Sequence, residues 1–433
     1  MLSRLLTLWR RLPVPIRRAA HRVVRALRMA IDPFFALHGW HKRRQAITRA
    51  RRTMWRRRSR ARGPITVIGF LGAVHGLGEG ARLLTRGLAD AGYDTRAIDL
   101  SSRVGFKVEL PVTLPPPDDT ERGVVVSHIN PPELLAWVLE TEGRLLAGRH
   151  HIGYWAWELE EAPADWIPAF DFVDEVWAPS EFAANAIRRI APKHIKVSAA
   201  PYPIYLNARP PTDRGRFGLP EDRVVVFTAF DLRSTAQRKN PRAALAAFQR
   251  ANRPLGGAAL LLCKVVGGDL YPETLAALAA EVADDPSVRL MTDNLTSEEM
   301  AVLTASVDIV LSLHRSEGYG LLLAEAIWQG KATVATGWSS NVEFMDASSS
   351  ALVRFNLVPV TGDGPIYRSG RWADADVVHA AEQLVALIAD KTLREQFSAE
   401  TTRNKHVSFD RHAWITRIGG RLRQSYAMGG KRP

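Results

Sequence analysis

The sequence has 433 residues, which is room for two domains with separate cores and an extension. Hydrophobic residues make up 46% and charged residues 24%, as in an ordinary folded protein. We find neither the roughly 18 to 20 consecutive apolar residues of a transmembrane helix nor the apolar segment of a secretory signal. We therefore expect no membrane span, and the single cysteine, Cys263, excludes an intrachain disulfide.

The formal net charge of +13 is concentrated in the N-terminal segment. Residues 1–62 contain 19 Lys and Arg but a single acid, Asp32, whereas the other residues contain 39 basic and 44 acidic side chains. From Ile16 to Ile31, apolar residues repeat at helical spacing among arginines, which predicts a basic amphipathic helix. Anionic lipid attracts such residues by roughly 1 kcal/mol each, and nucleic acid attracts them as well. The alternative interpretation, that residues 1–62 are a disordered tail or an organelle-targeting peptide, stays open.

From residue 63 onward, predicted strands alternate with predicted helices. The first domain covers residues 63–205, a proline-rich linker covers 206–222, and the second domain covers 223–408, followed by a helix and tail at 409–433. The predicted strands are Ile65–Leu71, Tyr93–Leu100, Val124–Ser127, His151–Trp155, Glu175–Ala178, a strand opening at Val224, Ala259–Val266, Val288–Met291 and Asp308–Leu313. Repeated strand–helix units imply parallel sheets that bind ligands at the carboxyl ends of their strands.

A glycine-rich stretch follows the first strand, and it allows two interpretations. Residues 76–81 fit the dinucleotide-binding fingerprint, with Asp99 near the expected ribose-binding distance, which would indicate a nicotinamide cofactor. However, the fingerprint glycine should come directly off the strand, and here it begins several residues after Leu71. We favour a loop before a helix at residues 81–91, presenting the amide of Gly78 and the carboxylate of Glu79 to a ligand across a cleft.

The stretch from His314 to Phe344 concentrates the chemistry of the second domain. A predicted strand leads into the loop Ser316–Gly320, and a helix is predicted at Leu321–Gln329. Glu317 lies in the loop, and Glu325 lies about one turn into the helix. Glycines on either side of Tyr319 let backbone N–H groups approach a ligand, and the helix N-terminus favours negative charge.

A basic cluster lies upstream. Phe230 and Asp231 are followed by Arg233 and then by Arg238 and Lys239, just before a helix predicted to begin at Pro241. Side-chain cations and a helix N-terminus at one place favour an oxyanion.

The run SEGYGLLLAEA, the turn at residues 337–343 and this basic cluster together resemble glycosyltransferase family 4. The resemblance covers roughly residues 65–425 in layout, with its specific motifs in the second half. It implies an α/β protein with the GT-B fold, in which two Rossmann-like domains face each other across a cleft. It also implies a retaining transfer from a nucleotide sugar. The sequence has no Asp-x-Asp pair beside a predicted phosphate loop and no His, Asp and Cys cluster with ligand spacing, so we expect neither a metal ion nor another cofactor.

The resemblance assigns roles to individual residues. Glu317 would bind sugar hydroxyls, Glu325 the ribose diol, and Lys239, with Arg238 or Arg233, the diphosphate. The amides of the loop would bind sugar and phosphate, which places Gly318, Tyr319, Gly320 and Leu321 in the donor site, with Gly78 and Glu79 opposite.

The acceptor side departs from the family pattern. Many members have a histidine motif where this chain has Trp157 and Glu158, so we expect Glu158 to act in the acceptor site. His128 and His151 fall at or near predicted strand ends and could face the cleft.

We therefore expect a glycosyltransferase that transfers a hexose to a glycan or lipid-linked acceptor, in cell-surface polysaccharide synthesis. We expect it in the cytoplasm, at the inner face of the membrane through residues 1–62, and without nucleic acid. Two alternatives stay open: a non-catalytic sugar-nucleotide-binding protein of the same fold, and a nucleic-acid-binding protein that uses the basic segment.

Overall fold

The computed structural model describes residues 63–116, 123–207, 209–361 and 367–428, together with residues 45, 48 and 49. The predicted amphipathic helix from Ile16 to Ile31 lies outside the described residues. Among the residues described, no helix is long and apolar enough to cross a membrane.

The first domain is built on a parallel sheet of six strands, in the order β2-β1-β3-β4-β5-β6. Its central strands are rich in β-branched residues and are buried along their whole length, as in β1 and β3, which suits a sheet covered on both faces. The strands are β1 (Ile65–Gly69), β2 (Thr95–Asp99), β3 (Val124–His128), β4 (His150–Tyr154), β5 (Glu175–Ala178) and β6 (Lys196–Ala199). The helices are α1 (Gly76–Asp90), α2 (Pro131–Thr141) and α3 (Glu181–Arg188), with a 3-10 helix at Ala164–Phe172.

The second domain repeats this design with six parallel strands in the order β12-β11-β10-β7-β8-β9. Its strands are β7 (Val224–Asp231), β8 (Ala259–Val266), β9 (Val288–Met291), β10 (Ile309–Ser312), β11 (Ala332–Thr336) and β12 (Ala351–Val353). A separate antiparallel hairpin pairs β13 (Phe355–Pro359) with β14 (Arg371–Ala375). The helices are α4 (Ala236–Lys239), α5 (Pro241–Asn252), α6 (Pro272–Val282), α7 (Ser297–Ser306), α8 (Leu321–Trp328), α9 (Val377–Ala389), α10 (Lys391–Ser408) and α11 (Arg411–Met428).

The last helix returns to the first domain. The Trp414 indole in α11 donates to the Pro201 carbonyl at 2.7 Å, and Arg411 pairs with Asp90 at 2.8 Å. Both sheets belong to one compact unit, residues 58–135 and 149–433, while residues 136–148 fall in a separate unit. All contacts of the candidate site described below lie within the first of these units.

The glycine-rich stretch differs from its prediction as a loop. Its glycines form the first turns of α1, which begins at Gly76, because His75 caps the helix by accepting the Gly78 N–H on Nδ1 at 3.1 Å. Asp99, the ribose contact of the nicotinamide interpretation, instead accepts the backbone N–H groups of Gly72 and Ser101, both at 3.1 Å. These bonds give Asp99 a structural role in closing its own loop.

Candidate functional site

The loop between β10 and α8 forms the centre of the site. The chain enters α8 through Gly320, whose φ of +91° lies in the left-handed region that favours glycine. The carbonyl of Gly318 accepts a hydrogen bond from Ser180 of the first domain at 2.7 Å. A Cβ on Gly318 would lie only 3.0 Å from the carbonyl oxygen of Trp157, so a larger residue would fit only if the backbone of the first domain shifted.

Glu317 makes polar contacts through its carboxylate, its backbone N–H and its backbone carbonyl. Its carboxylate pairs with Lys239 and, at 3.2 Å, with Arg238. Its N–H donates to Ser339 Oγ at 3.0 Å, and its carbonyl accepts from Ser340 Oγ at 2.8 Å. Burial alone would raise the pKa of Glu317, but the two cations outweigh burial and lower this pKa to about 2. Glu317 is therefore a fixed carboxylate anion.

Arg238 connects the basic cluster to this loop. It is 3% exposed, and its Nη1 donates to the Ser316 carbonyl at 2.7 Å. Its own carbonyl accepts from the Arg315 N–H at 2.7 Å, and Asn240 Nδ2 donates to the Leu313 carbonyl at 3.0 Å. Burial would lower the pKa of Arg238, but neighbouring acidic groups raise it above its ordinary value. The guanidinium stays charged, and its Nε has no hydrogen-bond partner.

A buried histidine lies between the end of β10 and the loop. His314 is fully buried, with Nε2 3.0 Å from Asn341 Oδ1 and Nδ1 3.0 Å from Ser312 Oγ. Burial lowers the pKa of His314, which keeps the ring neutral. His314 and Asn341 lie in the stretch from His314 to Phe344, but their side-chain contact was not predicted from the sequence.

Glu325 contacts the interdomain linker. Its carboxylate accepts from Asn207 Nδ2 at 3.1 Å, and the indole of Trp328, one turn later in α8, donates to the Asn207 carbonyl at 2.8 Å. Burial, together with the nearby Glu79, raises the pKa of Glu325 to about 8. A protonated carboxyl at neutral pH was not foreseen from the sequence, since the environment of Glu325 depends on distant segments.

Arg233 is bound within its own loop and to the first domain. Its guanidinium pairs with Asp231 at 2.8 Å, and Nη2 also donates to the carbonyl of Val74 at 2.6 Å. Arg233 thus joins the two domains at the edge of the cavity.

Gly78 and Glu79 are also engaged by protein groups. A Cβ on Gly78 would lie 2.4 Å from the Ala73 carbonyl oxygen, so this position requires glycine for close packing. Glu79 pairs with Arg82 at 2.8 Å and accepts from Ser297 Oγ of the second domain at 2.9 Å. A donor contact for Gly78 and Glu79 stays a prediction.

Glu158 lies opposite Glu317, in the loop after β4. One carboxylate oxygen accepts from the Tyr367 hydroxyl at 3.0 Å, and the other lies 4.0 Å from Arg238. Sequence reasoning missed Tyr367, because no pattern connects residues 209 positions apart.

The two histidines considered for the acceptor side belong to the core. His128 is fully buried against the Tyr202 hydroxyl at 3.0 Å, and His151 is fully buried against Ser127 at 2.8 Å. Burial lowers the pKa of His128 to about 3 and that of His151 to about 4. Neither histidine lines the cavity.

A cavity of about 930 Å³ separates the two domains. It is lined by most of the predicted site residues, namely Glu158, Arg233, Arg238, Lys239, Glu317, Gly318, Tyr319, Gly320 and Leu321, but not by Gly78, Glu79 or Glu325. Among the described charged residues of the lining, the first domain contributes Glu133, Glu158, Glu161 and Asp165, whereas the second contributes Asp231, Arg233, Arg238, Lys239, Glu317 and Arg368. One wall is therefore acidic, and the other carries a net positive charge.

Among the described residues, no group of three or more His, Cys, Asp and Glu side chains could hold a metal ion.

No protein-family model matches the sequence, and no curated protein matches it either. Solved structures do match. Anabaena HepE, in complex with UDP and glucose, shares 14% identity with a TM-score of 0.59, covering 83% of this chain and 99% of HepE. Sucrose-phosphate synthase from Thermosynechococcus elongatus shares 16% identity with a TM-score of 0.59, covering 84% of this chain and 100% of the synthase.

The pneumococcal O-GlcNAc transferase GtfA, in complex with UDP and GlcNAc, matches less well, at 15% identity and a TM-score of 0.49. The match covers 70% of this chain and just over half, 56%, of GtfA. Together with the two parallel six-stranded sheets, the likeness to HepE and the synthase shows the predicted GT-B fold of two Rossmann-like domains.

Proposed function

We propose that this chain is a nucleotide-sugar-dependent glycosyltransferase. The charge of the second-domain wall carries the proposal, since four cations and two carboxylates of that wall line the cavity. A diphosphate would complement this excess. Lys239 and Arg238 lie directly before α5, so the helix N-terminus adds its dipole to their charge.

The fixed anion Glu317 would accept hydrogen bonds from sugar hydroxyls of the donor. During transfer, the bond from the anomeric carbon to the phosphate oxygen breaks, and its electron pair stays on the phosphate. The acceptor oxygen forms the new bond on the same face, and its proton passes to the departing phosphate. Arg238 and Lys239 would stabilise the charge that develops on this leaving group. Retention without a protein nucleophile follows from this path.

The acceptor would approach along the first-domain wall, and Glu158 would orient it by accepting a hydrogen bond from a hydroxyl next to the attacking one. We propose a hexosyl donor, since HepE holds UDP and glucose in the same fold. The acceptor class is a glycan or lipid-linked glycan, and cell-surface polysaccharide synthesis is the setting that fits it. The chemistry described requires neither a metal ion nor another cofactor.

A panel of UDP-, GDP- and ADP-sugars tests the proposal. A ligand that binds only the folded state raises its thermal stability by mass action. We expect one nucleotide sugar to raise the melting temperature and to release nucleoside diphosphate on incubation. Stabilisation without release would support the non-catalytic alternative, and no stabilisation by any of them would contradict the proposal.

We further propose that residues 1–62 attach the enzyme to an anionic membrane surface. Liposome flotation tests this attachment. Replacing Val23 and Leu27 by Asp should release the protein from anionic liposomes, because the apolar stripe enters the headgroup boundary. Equal flotation of this double variant and the wild type would contradict the proposed anchor, and binding to nucleic acid that survives both substitutions would favour the alternative.

A further inference from the structure

Tyr367 reaches across the cavity from the second domain to the first. It precedes β14, is 5% exposed, and packs its ring 5.4 Å from the ring of Trp157. Its hydroxyl donates to Glu158 Oε2 at 3.0 Å. Two neighbouring residues contact the same loop of the first domain. Gly370 lies beside Leu159, and the guanidinium of Arg371 lies 3.7 Å from the carboxylate of Glu160. The segment that leads into β14 thus lies along the loop that carries Glu158.

The hydrogen bond has a defined direction. Burial raises the pKa of Tyr367 well above its ordinary value, so the phenol stays protonated and donates. Glu158 is fixed a second time through its backbone, because Ser316 Oγ donates to its carbonyl. Its other carboxylate oxygen lies 4.0 Å from the Arg238 guanidinium, which in turn pairs with Glu317 at 3.2 Å.

These contacts form one chain of groups along the cavity lining: Tyr367, Glu158, Arg238, Glu317 and Lys239. The series begins at Tyr367 and Glu158, on the proposed acceptor side, and ends at Lys239 in the proposed diphosphate site. The tyrosine is the member whose polar atom can be removed without changing the charge of the site.

We propose that Tyr367 is a positioning residue, which holds the Glu158 carboxylate where it orients the acceptor. Glu158 accepts a hydrogen bond from a hydroxyl next to the attacking one, or from the second O–H of a water, and leaves the attacking proton to the departing phosphate. This inference rests on the proposed glycosyl transfer and adds a second-domain residue to the acceptor side. Tyr367 itself transfers no proton. The orientation of Glu158 is therefore completed only when the second domain lies against the first.

The test compares Tyr367→Phe, Glu158→Gln and the double variant with the wild type. The probe is the nucleotide sugar that most stabilises the wild type, with water as acceptor. The readouts are diphosphate release and, by calorimetry, the affinity for the nucleoside diphosphate of that sugar. We expect Tyr367→Phe to slow release about tenfold, the worth of one hydrogen bond to a charged group, with the diphosphate affinity unchanged. In the Glu158→Gln background, Tyr367→Phe should have no further effect.

Tyr205→Phe is the matched control. Its hydroxyl donates to Asp90 at 3.1 Å outside the cavity lining, so the same kind of bond is lost without touching Glu158. Release should stay at the wild-type rate in this control. Unchanged release in Tyr367→Phe would overturn the positioning role alone. A variant that loses diphosphate affinity and melting temperature together with release would overturn it as well, because the tyrosine would then be structural. A wild type that releases no diphosphate would instead overturn the proposed function, and the inference with it.

Discussion

The two walls of the cavity are built differently. On the second-domain wall, Glu317 has partners for its carboxylate, its N–H and its carbonyl, all within the second domain. On the first-domain wall, the carboxylate of Glu158 is contacted by Tyr367 and approached by Arg238, and both belong to the second domain. Glu317 is therefore held by its own domain, whereas the Glu158 carboxylate is oriented by the domain opposite.

This difference assigns different consequences to substitutions on the two walls. A group fixed within one domain keeps its geometry when the domains separate. A group fixed across the cavity gains its geometry only on closure. Changes to the donor wall should therefore reduce stability and nucleotide affinity, and changes at Glu158 should mainly reduce the rate of transfer.

The largest effect is expected for Arg238→Met. The substitution leaves Glu317 with one cation fewer in a buried position, and breaking such a pair typically costs about 3 to 5 kcal/mol of unfolding free energy. Urea unfolding measures the loss. Arg242→Met is the control, because Arg242 pairs with Glu281 on the surface, where a pair is worth about 1 kcal/mol or less. Similar losses of unfolding free energy in both variants would show that the pair of Arg238 and Glu317 stabilises the fold no more than a surface pair.

A loss of nucleotide binding is expected for Lys239→Ala, in addition to the stability lost because Glu317 keeps only Arg238 as a partner. Lys239 is less buried than Arg238, with 22% of its side chain exposed, so its charge is available to a diphosphate. Nucleoside diphosphate affinity should fall by about 1.5 to 3 kcal/mol, the usual worth of a hydrogen bond to a charged group. Calorimetry on the folded variant measures this, and unchanged affinity would remove Lys239 from the donor site.

The smallest effect, on stability, depends on pH and concerns Glu325. Its pKa is about 8 in the folded protein against 4.5 in the unfolded chain, so keeping it buried costs stability progressively as pH rises from 4.5 to 8. Glu325→Gln removes this cost and should stabilise the protein by about 1 to 2 kcal/mol at pH 8 but hardly at pH 4.5. Thermal unfolding at both pH values is the measurement.

The exposed Glu382 in α9 provides the control for this prediction. Glu382→Gln should change stability equally little at both pH values. A pH-independent effect of Glu325→Gln would mean that the carboxyl is charged in the fold. The same variant should also weaken nucleotide binding if Glu325 contacts the ribose.

Sequence patterns predicted most strands of both sheets, the second-domain loop and the clustering of Arg238, Lys239 and Glu317, because these features depend on local periodicity and on parallel strand ends. The edge strands β6 and β12 were not predicted. Nor did the patterns predict the helical start at Gly76, which depends on a histidine cap. They also missed the β13–β14 hairpin, Tyr367 and the linker contact of Asn207. The contacts of Tyr367 and Asn207 join segments far apart in sequence, and only the fold brings them together.

The different roles of the two walls are tested most directly by titrating UDP, GDP and ADP into the wild type, Lys239→Ala and Glu158→Gln. We expect one diphosphate to bind the wild type, Lys239→Ala to weaken this binding about tenfold or more, and Glu158→Gln to leave it within about twofold. Equal losses in the two variants, or no binding by the wild type, would contradict the assignment of the diphosphate to the second-domain wall.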